Sequence, residues 1–110
     1  MDMLRDQEPI ETAKADTIAD GIAIRVPIPE SIADMLGLVD EVQIVTDEQI
    51  IEAMRLLQAH TGFLIEPAGA AGLAMVLAHR ASFVGQQVAT VLCGGNLTEK
   101  QTKEWIWKYD

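Results

Sequence analysis

Residues 62–74, GFLIEPAGAAGLA, hold the junction on which the fold prediction depends. FLIE, at 63–66, is a short apolar run that predicts a buried strand. Pro67 follows at once and suits the first turn of a helix, where a missing N–H costs nothing. The apolar residues after it predict a helix that runs to about His79. The stretch therefore predicts a strand that passes directly into a helix.

The same succession occurs just upstream. EVQIVT, at 41–46, predicts a strand, and Thr46 with Gln49 forms a capping box that opens a helix. Apolar residues at helical spacing continue it, and Gly62 is expected to end it. The residues on this apolar spacing are Ile50, Ile51, Met54 and Leu57.

Further elements are expected on both sides of these two units. GIAIRVPIP, at 21–29, is predicted to be extended, and Glu30 to Leu36 to form a short helix ended by Gly37. Gln86–Cys93 predicts another strand. A second capping box, Thr98 to Gln101, predicts a last helix that contains Trp105.

Strands separated by single helices favour parallel pairing through right-handed crossovers. We therefore predict an α/β fold, a small layered unit with a mainly parallel sheet of three to four strands flanked by helices. Residues 1–16 alternate charges and show no period, so they are predicted to be a tail or linker. Residues 17–110 are predicted to form one α/β unit.

Composition excludes several classes of function. The 110 residues carry 17 acidic and 8 basic side chains, a formal net charge of −9. This argues against binding nucleic acid or an anionic membrane surface. A single cysteine excludes an internal disulfide, and no metal site is expected. No secretory signal or membrane span is visible, so we expect a cytoplasmic protein.

Two predicted strands end in corners that favour a ligand site. FLIE leads into PAGAAG, at 67–72, and VATVL leads into Cys93-Gly94-Gly95-Asn96. In open parallel sheets, ligands bind beyond the carboxyl ends of strands, and parallel neighbours bring their ends to one edge.

Each corner also has a purely structural interpretation. Gly69 and Gly72 would let the helix lie close to the sheet, which is the favoured explanation for these two residues. Glu66 would cap the helix, where the dipole favours a carboxylate. Cys93 would be an inert core thiol, because free cysteine is among the most buried residue types. His60 and His79 are expected at the surface.

Four stretches, taken in order, resemble the C-terminal part of threonine dehydratases and the related serine dehydratases and serine racemases. They are ADTIADGIAIRVP (15–27), LVDEVQIVTDEQI (38–50), GFLIEPAGAAGLA (62–74) and VLCGGN (91–96). These are pyridoxal-phosphate enzymes of the tryptophan-synthase-β type. The resemblance implies that the unit is the C-terminal section of their large cofactor domain.

The resemblance also implies cofactor-binding residues. The residue at Cys93, usually serine in this family, faces the pyridine nitrogen, and a neutral partner there fits β-elimination. Gly94 and Gly95 would leave room for the ring, and Asn96 would bond the turn backbone. Glu66 matches a glutamate close to the ring, and Asp20-Gly21 a loop that lines the same pocket.

The family's Schiff-base lysine and glycine-rich phosphate loop have no counterpart in this sequence. Lys14, Lys100, Lys103 and Lys108 all lie in polar surroundings, and the longest glycine run is two. We therefore expect no catalytic residue in this chain. Pyridoxal phosphate is implied for the intact family, but the chain alone is expected to bind none. Whether the chain is itself an enzyme stays open.

The sequence thus predicts a fragment of a threonine or serine ammonia-lyase, which in intact form gives a 2-oxo acid and ammonia. It does not distinguish threonine from serine, or dehydratase from racemase. The alternative is a free-standing non-catalytic module that self-associates or binds a protein partner. A homodimer is expected, by pairing of strand edges or exchange of residues 1–29, because apolar helix faces would be left uncovered. The faces concerned are Ile50, Met54 and Leu57, and Leu73 and Leu77.

Overall fold

A computed structural model describes residues 14–107. Most of the predicted tail, and Lys108, therefore lie outside the described residues. The helices are α1 (Pro29–Met35), α2 (Asp47–Thr61), α3 (Pro67–Ala78) and α4 (Glu99–Thr102), and α4 continues as a π-helical turn over Lys103–Trp107. Two 3₁₀ turns cover Asp20–Ile22 and Arg80–Phe83.

Local signals set the ends of α2 as predicted. The Thr46 hydroxyl accepts from the Gln49 N–H at 3.2 Å, and the Gln49 side chain accepts from the Thr46 N–H at 2.9 Å. Gly62 ends the helix in the left-handed conformation, with φ of +77°. A side chain would be strained there, which explains why glycine marks the end.

The other helix predictions are also confirmed. Pro67 lies in the first turn of α3, and His79 is its C-cap residue. The capping box of Thr98 and Gln101 opens α4. Helix α1 ends one residue earlier than predicted, at Met35, and Gly37 follows with φ of +82°.

The core lies where α2 packs on α3. Ala53 and Met54 of α2 meet Ala70 and Ala74 of α3, and none of the four is accessible to solvent. The alanines allow the two backbones to approach closely, and Met54 fills the space between them. Ala19 and Ile106 belong to the same buried cluster.

This core corrects one expectation. Ile50, Met54 and Leu57 were expected to form an uncovered apolar face, but all three are buried within the chain. Leu73 and Leu77 also pack against the core cluster. The apolar faces of α2 and α3 therefore cover each other, and the exposed large apolar side chains lie outside these two helices.

Within residues 14–107, no segment is hydrogen-bonded as a β-strand. The stretches 41–46, 63–66 and 86–93, where strands were predicted, have no regular secondary structure. Residues 21–29 were predicted to be extended, but Gly21 and Ile22 lie in the first 3₁₀ turn and Pro29 begins α1, which leaves 23–28 without regular structure. One backbone bond joins two of them, from the Glu66 N–H to the Gly94 carbonyl at 3.0 Å. The parallel sheet stays a prediction.

The C-terminal turn is tied to the core by one polar contact. The Arg55 guanidinium donates through Nε to the Trp105 carbonyl at 2.7 Å. This bond holds the π-helical turn against α2, where Ile106 enters the core. None of the helices that the structure describes is long and apolar enough to cross a membrane.

Candidate functional site

Glu66 and Gly94 form the closest part of the site that the sequence predicted. The Glu66 N–H donates to the Gly94 carbonyl at 3.0 Å, so the two corners meet. The Glu66 side chain then folds over Gly94, and its carboxylate lies where a side chain at Gly94 would project. Gly94 also has φ of +79°, so both its conformation and its surroundings require glycine.

Glu66 is the N-cap residue of α3, as its structural interpretation predicted. Its side chain makes no capping hydrogen bond with the helix. The carboxylate is directed toward Gly94 instead, and the residue is half-buried. Glu66 therefore occupies the predicted N-cap position, but its side chain packs on Gly94 and not on the helix N-terminus.

Gly69 and Gly72 bring α3 against the segment that carries Cys93. A Cβ at Gly69 would overlap the Cys93 carbonyl oxygen and lie 3.0 Å from its nitrogen. A Cβ at Gly72 would overlap the Thr90 hydroxyl. The close-packing interpretation of these glycines is confirmed. It also explains how the two corners are held together.

Cys93 is exposed, so its interpretation as a core thiol is wrong. Its backbone lies on the first turn of α3, while its side chain remains open to solvent. The thiol is therefore accessible at the corner that Glu66 and Gly94 close.

Gly21 lies beside the same corner. A Cβ at Gly21 would be 3.1 Å from the Ala68 Cβ in the first turn of α3. The preceding residues are anchored by Asp47, whose carboxylate accepts from the Thr17 hydroxyl at 2.5 Å and from the Ile18 N–H at 3.4 Å. Sequence analysis missed Thr17 and Asp47. The TDEQ capping box marked Asp47 only as part of a helix start.

Gly95 and Asn96 complete the corner. A Cβ at Gly95 would lie 3.1 Å from the Leu64 carbonyl oxygen. The turn over Asn96 is closed by the Leu97 N–H, which donates to the Gly95 carbonyl at 2.9 Å. Gly94 and Gly95 were expected to leave room for a cofactor ring. In the structure, however, neighbouring atoms of the chain fill that space at Gly94 and border it at Gly95. Close packing within the chain is therefore enough to explain why both residues are glycine.

For the cofactor that the resemblance implies, this corner offers one group suited to the ring end. An exposed thiol can meet a ring nitrogen, Glu66 packs on the adjacent Gly94, and Gly21 borders the first turn of α3. The described lysines, Lys14, Lys100 and Lys103, are exposed, and Lys103 pairs with Glu99 at 2.9 Å.

The remaining predicted residues lie elsewhere. His60 is exposed near the end of α2, as expected, and His79 is partly buried after α3. His79 contributes to a cleft of about 790 Å³ between α3 and residues 40–45, which sequence analysis did not anticipate. Among the described residues, no group of three or more His, Cys, Asp or Glu side chains is placed to hold a metal ion.

The amino-acid sequence matches a known family model. The model described as pyridoxal-phosphate dependent enzyme matches residues 2–94. The L-threonine ammonia-lyase of Geobacter sulfurreducens is 39% identical over 84 residues, which are 76% of this chain and 21% of the relative. The beta-hydroxyaspartate dehydratase of Paracoccus denitrificans is 32% identical over 74% of this chain and 25% of its own length.

Solved structures with the same arrangement include a T.th. threonine deaminase. It is 32% identical with a TM-score of 0.81, over 88% of this chain and 35% of the deaminase. A pyridoxal 5'-phosphate-dependent aspartate racemase is 29% identical with a TM-score of 0.78, over 90% of this chain and 33% of the racemase. The chain therefore spans about a quarter of the two curated relatives and a third of these two structures.

Proposed function

Because this chain belongs to the family of pyridoxal-phosphate dependent enzymes, we propose that it supplies one part of an amino-acid lyase's cofactor site and is inactive alone. The intact enzyme would remove ammonia from threonine or serine and leave a 2-oxo acid. The relative named L-threonine ammonia-lyase supports this reaction class. A cytoplasmic location belongs to the same proposal.

One observation carries the proposal. The Glu66 carboxylate lies against Gly94, the residue that follows the exposed Cys93, although the two corners are far apart in sequence. A polar group half-buried beside an exposed neutral thiol is what the ring end of the cofactor would meet. Gly21 borders the first turn of the same helix.

The residues present indicate which kind of chemistry is favoured. When bound, pyridoxal phosphate serves as an electron sink for bond cleavage at an amino acid's α-carbon. Cys93 would contact the ring nitrogen as a neutral group. Unlike a carboxylate, it would not hold a proton there, which leaves the sink weaker and suits elimination of a β-substituent. Glu66, Gly94, Gly95 and Asn96 would shape this wall of the pocket, with Gly21 on the loop beside it.

Inactivity of the chain alone follows from the lysines. A lysine that attaches this cofactor needs a lowered pKa, normally produced by desolvation or a neighbouring cation. Lys14, Lys100 and Lys103 are all exposed, so none of them is desolvated. Residues 14–107 would therefore present a cofactor wall with no attachment point of their own.

The test is to mix the purified chain with pyridoxal phosphate, reduce with borohydride and map the modified lysines. We expect weak modification spread over several lysines and no release of ammonia from threonine or serine. One stoichiometric adduct at a single lysine would contradict the proposal. Pyridoxamine phosphate, which cannot form the reducible bond, serves as the control.

A further inference from the structure

The loop that carries Gly21 is preceded by a chain of hydrogen bonds that begins on a different helix. The Asp47 carboxylate accepts from the Thr17 hydroxyl at 2.5 Å and, through both oxygens, from the Ile18 N–H at 3.4 Å. The Thr17 oxygen in turn accepts from the Ala19 N–H at 3.2 Å. Thr17 and Asp47 are 30 residues apart, so this contact is tertiary and is not part of a local turn.

A helix-capping role does not account for Asp47. The N-terminus of α2 is already capped by Thr46 and Gln49, which satisfy each other's backbone N–H groups. The helix dipole favours a carboxylate in this first turn, but Glu48 supplies one there as well. Asp47 differs from Glu48 because its carboxylate is half-buried and accepts from residues 17 and 18, whereas Glu48 is exposed.

From Ala19 the restraint passes directly into the loop. Ala19 is 1% exposed and belongs to the core cluster. Its carbonyl accepts from the Ile22 N–H at 3.1 Å and so closes the 3₁₀ turn over Asp20–Ile22. Inside that turn, Gly21 lies so close to α3 that an added Cβ would be 3.1 Å from the Ala68 Cβ. The hydrogen-bond chain therefore ends immediately before the residue that is assigned to the pocket.

We propose that Asp47 and Thr17 are positioning residues of the cofactor site, which set where the loop of Asp20 and Gly21 lies against α3. The inference rests on the proposed function, because that function assigns Gly21 to the wall of the pocket. Neither Asp47 nor Thr17 has to touch the cofactor, since each acts through the loop. Sites that bind and orient a cofactor depend on such supporting contacts, because a displaced wall weakens binding and slows the reaction.

The charge of Asp47 makes this anchor strong, and the loop has few other contacts to replace it. A hydrogen bond to an ionised carboxylate is about twice as strong as one between neutral groups. Asp20 and Gly21 are exposed, and Ile22 is 56% exposed, so apolar burial holds the loop only weakly. Loss of the anchor should therefore release the loop and leave the core between α2 and α3 in place.

Amide hydrogen exchange of the full 110-residue chain, measured by NMR, tests the anchor. Asp47→Ala should raise the exchange rates of the protected amides in 18–22 about tenfold, because it removes hydrogen bonds to a charged group. The amides of α3 should exchange as before, which also verifies that the variant is folded. Glu48→Ala is the matched control, since it removes the neighbouring carboxylate of the same helical turn and shares any loss of dipole stabilisation. It should leave exchange in 18–22 unchanged.

Two substitutions of Thr17 give an independent reading. Thr17→Val keeps the shape of the side chain but removes the O–H donor, so it should raise exchange in 18–22 as Asp47→Ala does. Thr17→Ser keeps the hydroxyl and should retain the protection. Equal exchange in Thr17→Val and Thr17→Ser, or in Asp47→Ala and Glu48→Ala, would overturn the inference.

The effect on the cofactor site is measured in a hybrid, in which residues 15–107 replace the matching segment of the Geobacter sulfurreducens L-threonine ammonia-lyase. Asp47→Ala and Thr17→Val should weaken pyridoxal phosphate binding about tenfold, because a misplacement of about 1 Å can cost about a hundredfold. Both should also shift the absorbance of the bound cofactor, which a loss of stability alone would not do. Thr17→Ser and Glu48→Ala should resemble the unsubstituted hybrid.

The outcomes separate this inference from the proposed function. Equal affinity and equal absorbance in all the variants would overturn the positioning role alone. An unsubstituted hybrid that folds but binds no pyridoxal phosphate would overturn the proposed function, and the positioning role with it.

Discussion

The carboxylate of Glu66 occupies the space into which a side chain at Gly94 would project. The Glu66 Cγ would lie only 2.8 Å from that side chain's first carbon, and the backbones of the two residues are hydrogen-bonded. The Glu66 side chain therefore packs on Gly94, although the two residues are distant in the sequence. The contact between Glu66 and Gly94 is therefore part of the fold, and it can be tested by substitution.

Gly94→Ala should destabilise the protein by about 3 kcal/mol. The left-handed backbone contributes about 1–2 kcal/mol and the overlap with Glu66 contributes the rest. Gly85→Ala is the control, because Gly85 has φ of +77° but nothing within 4 Å of its added Cβ. It should cost only about 1–2 kcal/mol. Urea unfolding of both variants at the same low protein concentration measures the two costs.

A double-mutant cycle isolates the Glu66 contribution. In a Glu66→Ala background, Gly94→Ala should cost no more than Gly85→Ala, because the overlapping atoms are gone. An unchanged cost of Gly94→Ala in that background would show that the carboxylate does not occupy this space.

Gly72→Ala and Gly69→Ala should differ in whether a second substitution rescues them. At Gly72 the added Cβ meets the Thr90 hydroxyl, whereas at Gly69 it meets the Cys93 backbone. Thr90→Ala removes the hydroxyl and should therefore recover most of the stability that Gly72→Ala loses. The alanine at position 72 contributes as well, because alanine is more favourable in a helix than glycine by about 1 kcal/mol. Thr90→Ala should not recover Gly69→Ala. Equal rescue of both variants in thermal unfolding would contradict the described packing.

Met54→Ala should cost about 2–5 kcal/mol, because Met54 is fully buried between α2 and α3 and its removal leaves a cavity. Met35→Ala is the matched control, since Met35 is 37% exposed at the end of α1. It should change the free energy of unfolding by less than about 1 kcal/mol. A small effect of Met54→Ala would mean that the two helices do not form the core.

The helices could be predicted because their signals are local. Thr46 and Gln49 satisfy each other's backbone within a single turn, and Gly62 and Pro67 mark an end and a start. Each signal acts over a few residues, so tertiary contacts had little to override. The same reasoning held for Thr98 and Gln101 at α4.

The site and the layers depend on contacts between distant residues, so less of them could be predicted. The sequence pointed to both corners, but not to the Glu66 carboxylate lying over Gly94 or to Asp47 anchoring Thr17. Apolar spacing on α2 identified one apolar face, which was expected to be left uncovered, and did not show that α3 would cover it. A pattern identifies an apolar face without identifying its partner.

A hybrid enzyme tests the central claim, that this chain carries one wall of a pyridoxal-phosphate site, most directly. Residues 15–107 replace the matching segment of the Geobacter sulfurreducens L-threonine ammonia-lyase, which is 39% identical over the aligned region. Bound pyridoxal phosphate per folded chain is measured, with Cys93→Ser as the conservative variant and Cys93→Asp as the charged one. We predict about one cofactor per chain and release of ammonia from threonine, retained in Cys93→Ser and sharply reduced in Cys93→Asp. A hybrid as stable as the parent enzyme that binds no cofactor would contradict the claim.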